Sequence, residues 1–312
     1  MTHDMTRQLT GIIPPLTTPL TPEADVDTAS LERLCAFLLD AGVDGLFVCG
    51  SSGEVALLSD AQRAKVIEVA AATASGRVPV LAGVIDTGTA RVAGHARAAV
   101  KAGADAVVAT PPFYVAPHTD EVIRHYRLIA DAVDAPVVAY DIPSATHSPL
   151  SRVVVEQLAR DKTVVALKDS SGNLDGFRSY LSATADTGLR VFTGSETMTD
   201  VALHLGAHGA VPGLANVDPH GYVRIRQAAA AGDWATAAAE QERLRRLFTI
   251  IDVADRNRIG FTAGALGAFK AAQYLRGVLD TPRCADPLLP LQSGEIDAVR
   301  GILEREGVEV VR

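Results

Sequence analysis

The chain contains five lysines, and four of them have ordinary settings. Lys65 and Lys101 fit helix surfaces, Lys162 falls in a polar connection, and Lys270 lies in a C-terminal helical stretch. Lys168 alone closes an apolar run, Val164-Val165-Ala166-Leu167. A lysine at the end of a buried strand loses hydration, which disfavours its ammonium form. A neutral amine there can attack a ketone, and the protonated imine that results is an electron sink. The plainer alternative pairs Lys168 with Asp169 or another carboxylate at the rim.

Tyr140 closes the preceding apolar run. A phenol beside an imine-forming lysine can shuttle protons or bond a substrate carboxylate; otherwise it is a core aromatic with its hydroxyl satisfied. Ser51 and Ser52 stand between Gly50 and Gly53. Glycines let backbone N–H groups approach an anion and the hydroxyls add donors, although ordinary turns share this composition. Tyr114 lies in a loop stiffened by Pro111, Pro112 and Pro117, a setting for a proton relay or for plain packing.

These residues need a scaffold that gathers strand ends. Eight short apolar runs, starting at Gly11, Gly45, Val78, Asp105, Ala135, Thr163, Leu189 and Gly209, lack polar alternation, as strands buried on both faces do. Amphipathic helical segments separate them: 31–39, 61–72, 89–101, 121–133, 150–160, 174–187 and 198–205. Ser59 with Gln62 makes a capping-box pattern before the second. The alternation predicts an α/β chain folded as a (β/α)8 TIM barrel, whose active site lies where strands end and βα loops begin. A doubly wound open sheet fits less well, because PPLTTPL follows the first run where a Gly-rich phosphate loop belongs.

The pattern changes near Tyr222. Segments 234–253, 263–279 and 293–306 read as helices, which predicts a barrel catalytic domain over residues 1–222 and a C-terminal helical appendage over 223–312. The net charge of -8 and the lack of a basic patch argue against nucleic acid as a partner. No apolar run is long enough to cross a membrane, and the opening MTHDMTRQLT has no apolar leader region. Cys35, Cys49 and Cys284 are far apart and form no C-x-x-C pair. A cytoplasmic location is expected.

Taken together, Thr17-Thr18-Pro19-Leu20, Gly50-Ser-Ser-Gly-Glu54 with Leu58-Ser59, Thr110-Pro-Pro-Phe-Tyr114, Tyr140-Asp-Ile-Pro143, Lys168-Asp169 and Ala215-Asn216-Val217 with Pro219-His220 resemble a known family. It is that of dihydrodipicolinate synthase and N-acetylneuraminate lyase, the pyruvate-dependent class I aldolases. The resemblance spans nearly the whole chain, and the order and spacing of the motifs carry it. It implies that Lys168 forms the imine, that Tyr140 is the general acid/base, and that Ser51 and Ser52 bind the pyruvate carboxylate. Ser51 and Tyr114 match the synthases' proton relay, with Tyr114 reaching a neighbouring subunit's site, so a homo-oligomer, a dimer of dimers, is implied. Gly194 and Val211, at the ends of the seventh and eighth runs, are expected to line the substrate. No cofactor or metal is needed, because the lysine supplies the electron sink.

Two positions depart from the family pattern. Asp141 stands where Asn is common. Ala145 stands where the synthases usually carry an Arg for the carboxylate of aspartate semialdehyde, and its loss removes a bidentate partner. The favoured reaction is therefore condensation of pyruvate with an aldehyde, or cleavage of a 2-keto-3-deoxy sugar acid whose hydroxyls Ser144, Thr146 and His147 could bond. Lys168-Asp169-Ser170 also resembles the sugar-acid aldolases more than the synthases. The alternatives are 4-hydroxy-tetrahydrodipicolinate synthase and a Schiff-base sugar-acid dehydratase. Asp200, His204 and His208 have the spacing of a metal-dependent aldolase's ligands, but Gly206 interrupts the helix and His208 falls on the wrong side of the barrel. A non-catalytic keto-acid sensor would lack the lysine or the tyrosine, and both are present.

Overall fold

The structure, a computed structural model, describes residues 9–312. The polar opening segment falls largely in residues 1–8, outside the described residues. Eight parallel strands form the sheet: β1 (Gly11–Ile12), β2 (Leu46–Val48), β3 (Val80–Gly83), β4 (Ala106–Ala109), β5 (Val137–Asp141), β6 (Ala166–Asp169), β7 (Arg190–Thr193) and β8 (Gly209–Ala210). From β2 to β8 each strand pairs with the next in the chain, and β8 pairs with β1. The seam between β1 and β2 closes just beyond β1, where Phe47 N–H donates to Pro14 O at 3.0 Å and Leu16 N–H donates to Phe47 O at 2.8 Å. The closed sheet is the (β/α)8 barrel.

Nearly every strand side chain is buried, which explains the unalternated apolar runs. Register fixes the chemistry. Tyr140 pairs with Lys168 and Lys168 with Phe192, so the three lie level on adjacent strands and face the same side. Asp141, Asp169 and Thr193 form the next level, facing the other way.

The helices run α1 (Thr28–Asp40), α2 (Asp60–Ala74), α3 (Thr89–Lys101), α4 (Thr119–Ala130), α5 (Pro143–Thr146), α6 (Arg152–Arg160), α7 (Leu174–Ala183), α8 (Thr199–His204) and α9 (Pro219–Ala230). Beyond them lie α10 (Trp234–Phe248), α11 (Phe261–Leu275) and α12 (Ser293–Arg305). The Ser59–Gln62 capping box starts α2. Helix α6 starts later than the periodicity predicts, because Ser151 caps it through Val154 N–H. Helix α7 ends earlier, where Thr184 Oγ1 donates to Tyr180 O at 2.8 Å. The long helix expected over 234–253 breaks after Phe248 into a 3-10 turn, Thr249–Asp252.

Helix α9 is absent from the periodicity reading. Asp218 caps it through Gly221 N–H and Pro219 occupies its first turn. It supplies the helix after β8 and completes the eighth βα unit, so the expected division at residue 222 falls inside a helix. The C-terminal helices reach back to the barrel mouth through buried polar contacts. Thr17 Oγ1 donates to Gln273 Oε1 of α11 at 2.8 Å. No helix among the described residues is long and apolar enough to cross a membrane.

Candidate active site

The C-terminal end of β6 presents Lys168 into the barrel mouth, 6% exposed. Its Nζ lies 4.1 Å from the Tyr140 ring centroid and 5.2 Å from that of Phe47. Phe47 meets Tyr140 edge-on, with centroids 6.3 Å apart. Two aromatic walls therefore flank the amine in a largely apolar cup. Asp169, the carboxylate next in sequence, belongs to the level facing away and takes Ser171 N–H at 2.8 Å.

Tyr140 is 2% exposed, and its hydroxyl is 3.4 Å from Ser51 Oγ. That contact joins the amine cup to the loop after β2. Ser51 is exposed and Ser52 partly so. Gly53 N–H donates to Gly50 O at 3.0 Å and Glu54 N–H to Ser51 O at 3.1 Å, which folds the two serines into a tight turn. Thr18 Oγ1 donates to Gly53 O at 2.7 Å and pins that turn from the first strand's loop.

Gly194 follows β7. A Cβ there would stand 1.9 Å from Ser170 Oγ and 3.0 Å from Lys168 Cε, so only glycine leaves room for the lysine stem. Val211 follows β8, is 5% exposed, and lines a small interior space together with Phe47, Phe192 and Lys168. Lys168, Tyr140, Ser51, Gly194 and Val211 thus come together around one mouth. Tyr114 stands apart from them, 94% exposed on left-handed backbone with φ +73°.

The motifs near the mouth behave unequally. Ser144 and His147 are exposed. Thr146 is buried, 5% exposed, and its hydroxyl donates to Ile142 O at 3.1 Å, so it is committed to closing α5 and is withdrawn from the substrate-binding set. His204 lies edge-on to Trp234 at 4.6 Å, and His208 Nδ1 accepts Val191 N–H at 3.0 Å; the two histidines have separate structural partners.

Glu196 escaped the sequence reading. Its carboxylate accepts Gly213 N–H at 3.1 Å, and its backbone carbonyl is held by Tyr222 OH at 2.8 Å and Gln241 Nε2 at 3.0 Å. Burial holds its carboxyl above the usual carboxylate range, with the Gly213 N–H and the charge of Lys168 acting against that rise. A Cβ on Gly213 would lie 3.0 Å from the Phe269 ring, 3.1 Å from Glu196 Oε1 and 3.3 Å from Ser52 Oγ, so only glycine lets the acid and the serine flank the backbone this closely. The sequence signal was its place two residues beyond Gly194, in the same βα loop.

Behind the site lies a buried pair of acids. Asp141 is 1% exposed and burial pushes its carboxyl up to about 6, with Asp169 adding repulsion. Burial also raises Asp169. Tyr180 OH lies 2.5 Å from Leu150 O and 3.2 Å from Asp141 Oδ2. The phenol has one proton, and the shorter contact takes it, so a proton on Asp141 best satisfies the longer one.

A sequence model of the dihydrodipicolinate synthetase family matches residues 8–306. The 4-hydroxy-tetrahydrodipicolinate synthase of Methanosphaerula palustris is 34% identical over 92% of this chain and 94% of its own. An uncharacterised DapA-like lyase of Halobacterium salinarum is 33% identical over 96% of this chain and 95% of its own. Among solved structures, YagE of E. coli K12, a prophage protein of the dihydrodipicolinic acid synthase family crystallised with pyruvate, superposes with a TM-score of 0.90 at 28% identity, over 96% of this chain and 99% of that one. The synthase of Bacteroides thetaiotaomicron superposes at 0.89 with 32% identity, over 95% and 98%. The barrel, the lysine at the end of its sixth strand and the match along nearly the whole length agree: this chain belongs to the dihydrodipicolinate synthetase family of pyruvate-dependent class I lyases.

Proposed function

We propose that Lys168 forms a Schiff base with pyruvate and that the resulting enamine adds to a neutral hydroxyaldehyde, or is released when the corresponding 2-keto-3-deoxy acid is cleaved. The carrying observation is the continuous path from Lys168 Nζ, over the Tyr140 ring at 4.1 Å, through the Tyr140 hydroxyl, to Ser51 Oγ at 3.4 Å. Pyruvate laid along it has its carboxylate at Ser51 and Ser52 and its ketone carbon at the amine. The amine attacks that carbon and the carbonyl oxygen leaves as water, with its protons delivered by way of Tyr140. Loss of a proton from the methyl carbon gives the enamine, which forms a bond to the aldehyde carbon as the aldehyde oxygen takes up a proton. Water then hydrolyses the imine and frees Lys168. Gly194 and Val211 shape the space beside the lysine stem.

The choice of a neutral partner rests on charge. Ala145 offers no cation to a second carboxylate, and the Glu196 carboxylate borders the mouth near Ser52. Glu196 can share hydrogen bonds with the hydroxyls of a neutral partner. The competing reading is 4-hydroxy-tetrahydrodipicolinate synthase, the name borne by the Methanosphaerula palustris relative. Turnover of pyruvate with glyceraldehyde and with aspartate semialdehyde, each product identified by mass, separates the two. Preference for glyceraldehyde supports the proposal, and preference for aspartate semialdehyde overturns the partner assignment. A product that has lost water without carbon–carbon cleavage marks a dehydratase.

Tyr114 supports a homo-oligomeric, dimer-of-dimers assembly. A tyrosine 94% exposed next to Val115 at 63% leaves apolar surface that a second copy would cover. In that assembly Tyr114 completes a neighbour's relay, and sedimentation of the full chain reads the oligomer directly.

A further inference from the structure

The turn that carries Ser51 and Ser52 ends on a residue that the reaction does not use. Glu54 has left-handed backbone with φ +59°, and its side chain is 0% exposed. Its carboxylate is paired with Lys270 of α11, whose side chain is also 0% exposed. Lys270 Nζ donates in addition to Arg283 O at 2.7 Å, and Ala285 N–H donates to Glu54 Oε2 at 2.5 Å. One turn along the same helix, Gln273 takes the Thr17 hydroxyl at 2.8 Å. Helix α11 and the segment after it therefore hold the loops that follow β1 and β2.

A buried ion pair is a poor source of stability. Its desolvation cost offsets its attraction, and apolar replacements of similar volume are often neutral or stabilising. What such a pair can supply is register, because displacing either partner strands the other charge in the interior. Here the register is that of the serine turn: Glu54 N–H donates to Ser51 O at 3.1 Å and Val55 N–H to Gly50 O at 3.3 Å. Moving the Glu54 carboxylate moves the turn that it closes.

We propose that Glu54 and Lys270 are positioning residues, which hold Ser51 and Ser52 in the geometry that receives the substrate carboxylate, and that the C-terminal appendage is thereby part of the substrate site. This rests on the reading that those serines bind the carboxylate of a 2-oxo acid. The positioning acts on capture of the keto acid, and the chemistry at Lys168 is left intact.

The test is borohydride trapping of the full chain over a range of pyruvate concentrations, with melting temperatures in parallel. The paired variant Glu54→Met/Lys270→Met removes both charges while keeping length and apolar fill. It is expected to melt below the parent, because Ala285 N–H and Arg283 O lose their partners, to need about tenfold more pyruvate for half-maximal trapping, and to reach a similar trapping rate at saturation. Glu54→Gln keeps the shape and removes the charge; it is expected to shift half-saturation in the same direction, and it decides the matter if the paired variant does not fold. Unchanged half-saturation in a folded variant, with or without a lower melting temperature, overturns the proposal and leaves the pair a structural role. Absence of any adduct in the parent chain overturns the imine at Lys168, on which the carboxylate reading rests, and the proposal with it.

Discussion

Tyr140 and Lys168 are register partners on adjacent strands, and the lysine Nζ sits 4.1 Å from the centre of the phenol ring. The ring and the hydroxyl have separable jobs in this arrangement. The ring walls the amine, and the hydroxyl faces Ser51. Tyr140→Phe keeps the wall and the edge contact with Phe47 and removes only the proton-carrying group. Thermal stability is expected to change little, while kcat falls by roughly 10²–10⁴ with a smaller change in KM. Steady-state kinetics with pyruvate as the varied substrate checks it, and near-normal kcat in the variant would remove Tyr140 from proton transfer.

The buried Asp141 carboxyl gives a pH signature. Its folded-state pKa is raised from 3.8 to about 6, so the folded chain holds a proton that the unfolded chain has already released. Stability from this group is present at low pH and is lost as pH rises from about 4 through about 6, after which it levels off. A shift of this size is worth about 3 kcal/mol. Asp141→Asn cannot ionise, can still accept Leu150 N–H, and can donate to Tyr180. Denaturant unfolding of both chains at pH 4 and pH 8 should show the variant gaining on the parent by up to that amount at the higher pH. An equal difference at both pH values would mean that Asp141 is ionised throughout.

Gly194 tests how closely the lysine stem is fitted. Gly194→Ala places a methyl 1.9 Å from Ser170 Oγ and 3.0 Å from Lys168 Cε. Overpacking of this kind costs about 1–3 kcal/mol. Adding Ser170→Gly removes the first clash and leaves the second. The paired variant is therefore expected to regain most of its melting temperature while imine formation stays slow by about a hundredfold. Full recovery of imine formation in the paired variant would show that the lysine stem tolerates the methyl.

Much of this architecture is legible in the residues themselves. The eight apolar runs lack alternation because both strand faces are buried, and reading their C-terminal ends leads to Lys168, Tyr140, Ser51 and Gly194. Glu196 lay two residues past the last of these, in a loop whose direction only the fold fixes: Tyr222 and Gln241, from two later helices, hold its carbonyl. Thr146 looked free as a letter, yet its hydroxyl is occupied by the carbonyl four residues back. Helix α9 carried a readable start, Asp218 followed by Pro219, but apolar periodicity alone passed over it. The Glu54–Lys270 pair joins residues more than two hundred positions apart, and local pattern holds no trace of such a contact.

The imine at Lys168 is read by borohydride reduction of the chain with pyruvate, followed by peptide mass spectrometry. One reduced pyruvyl adduct is expected, on the peptide carrying Lys168, and its loss in Lys168→Ala. A folded chain that yields no adduct with pyruvate, or an adduct on one of the other lysines, would contradict it.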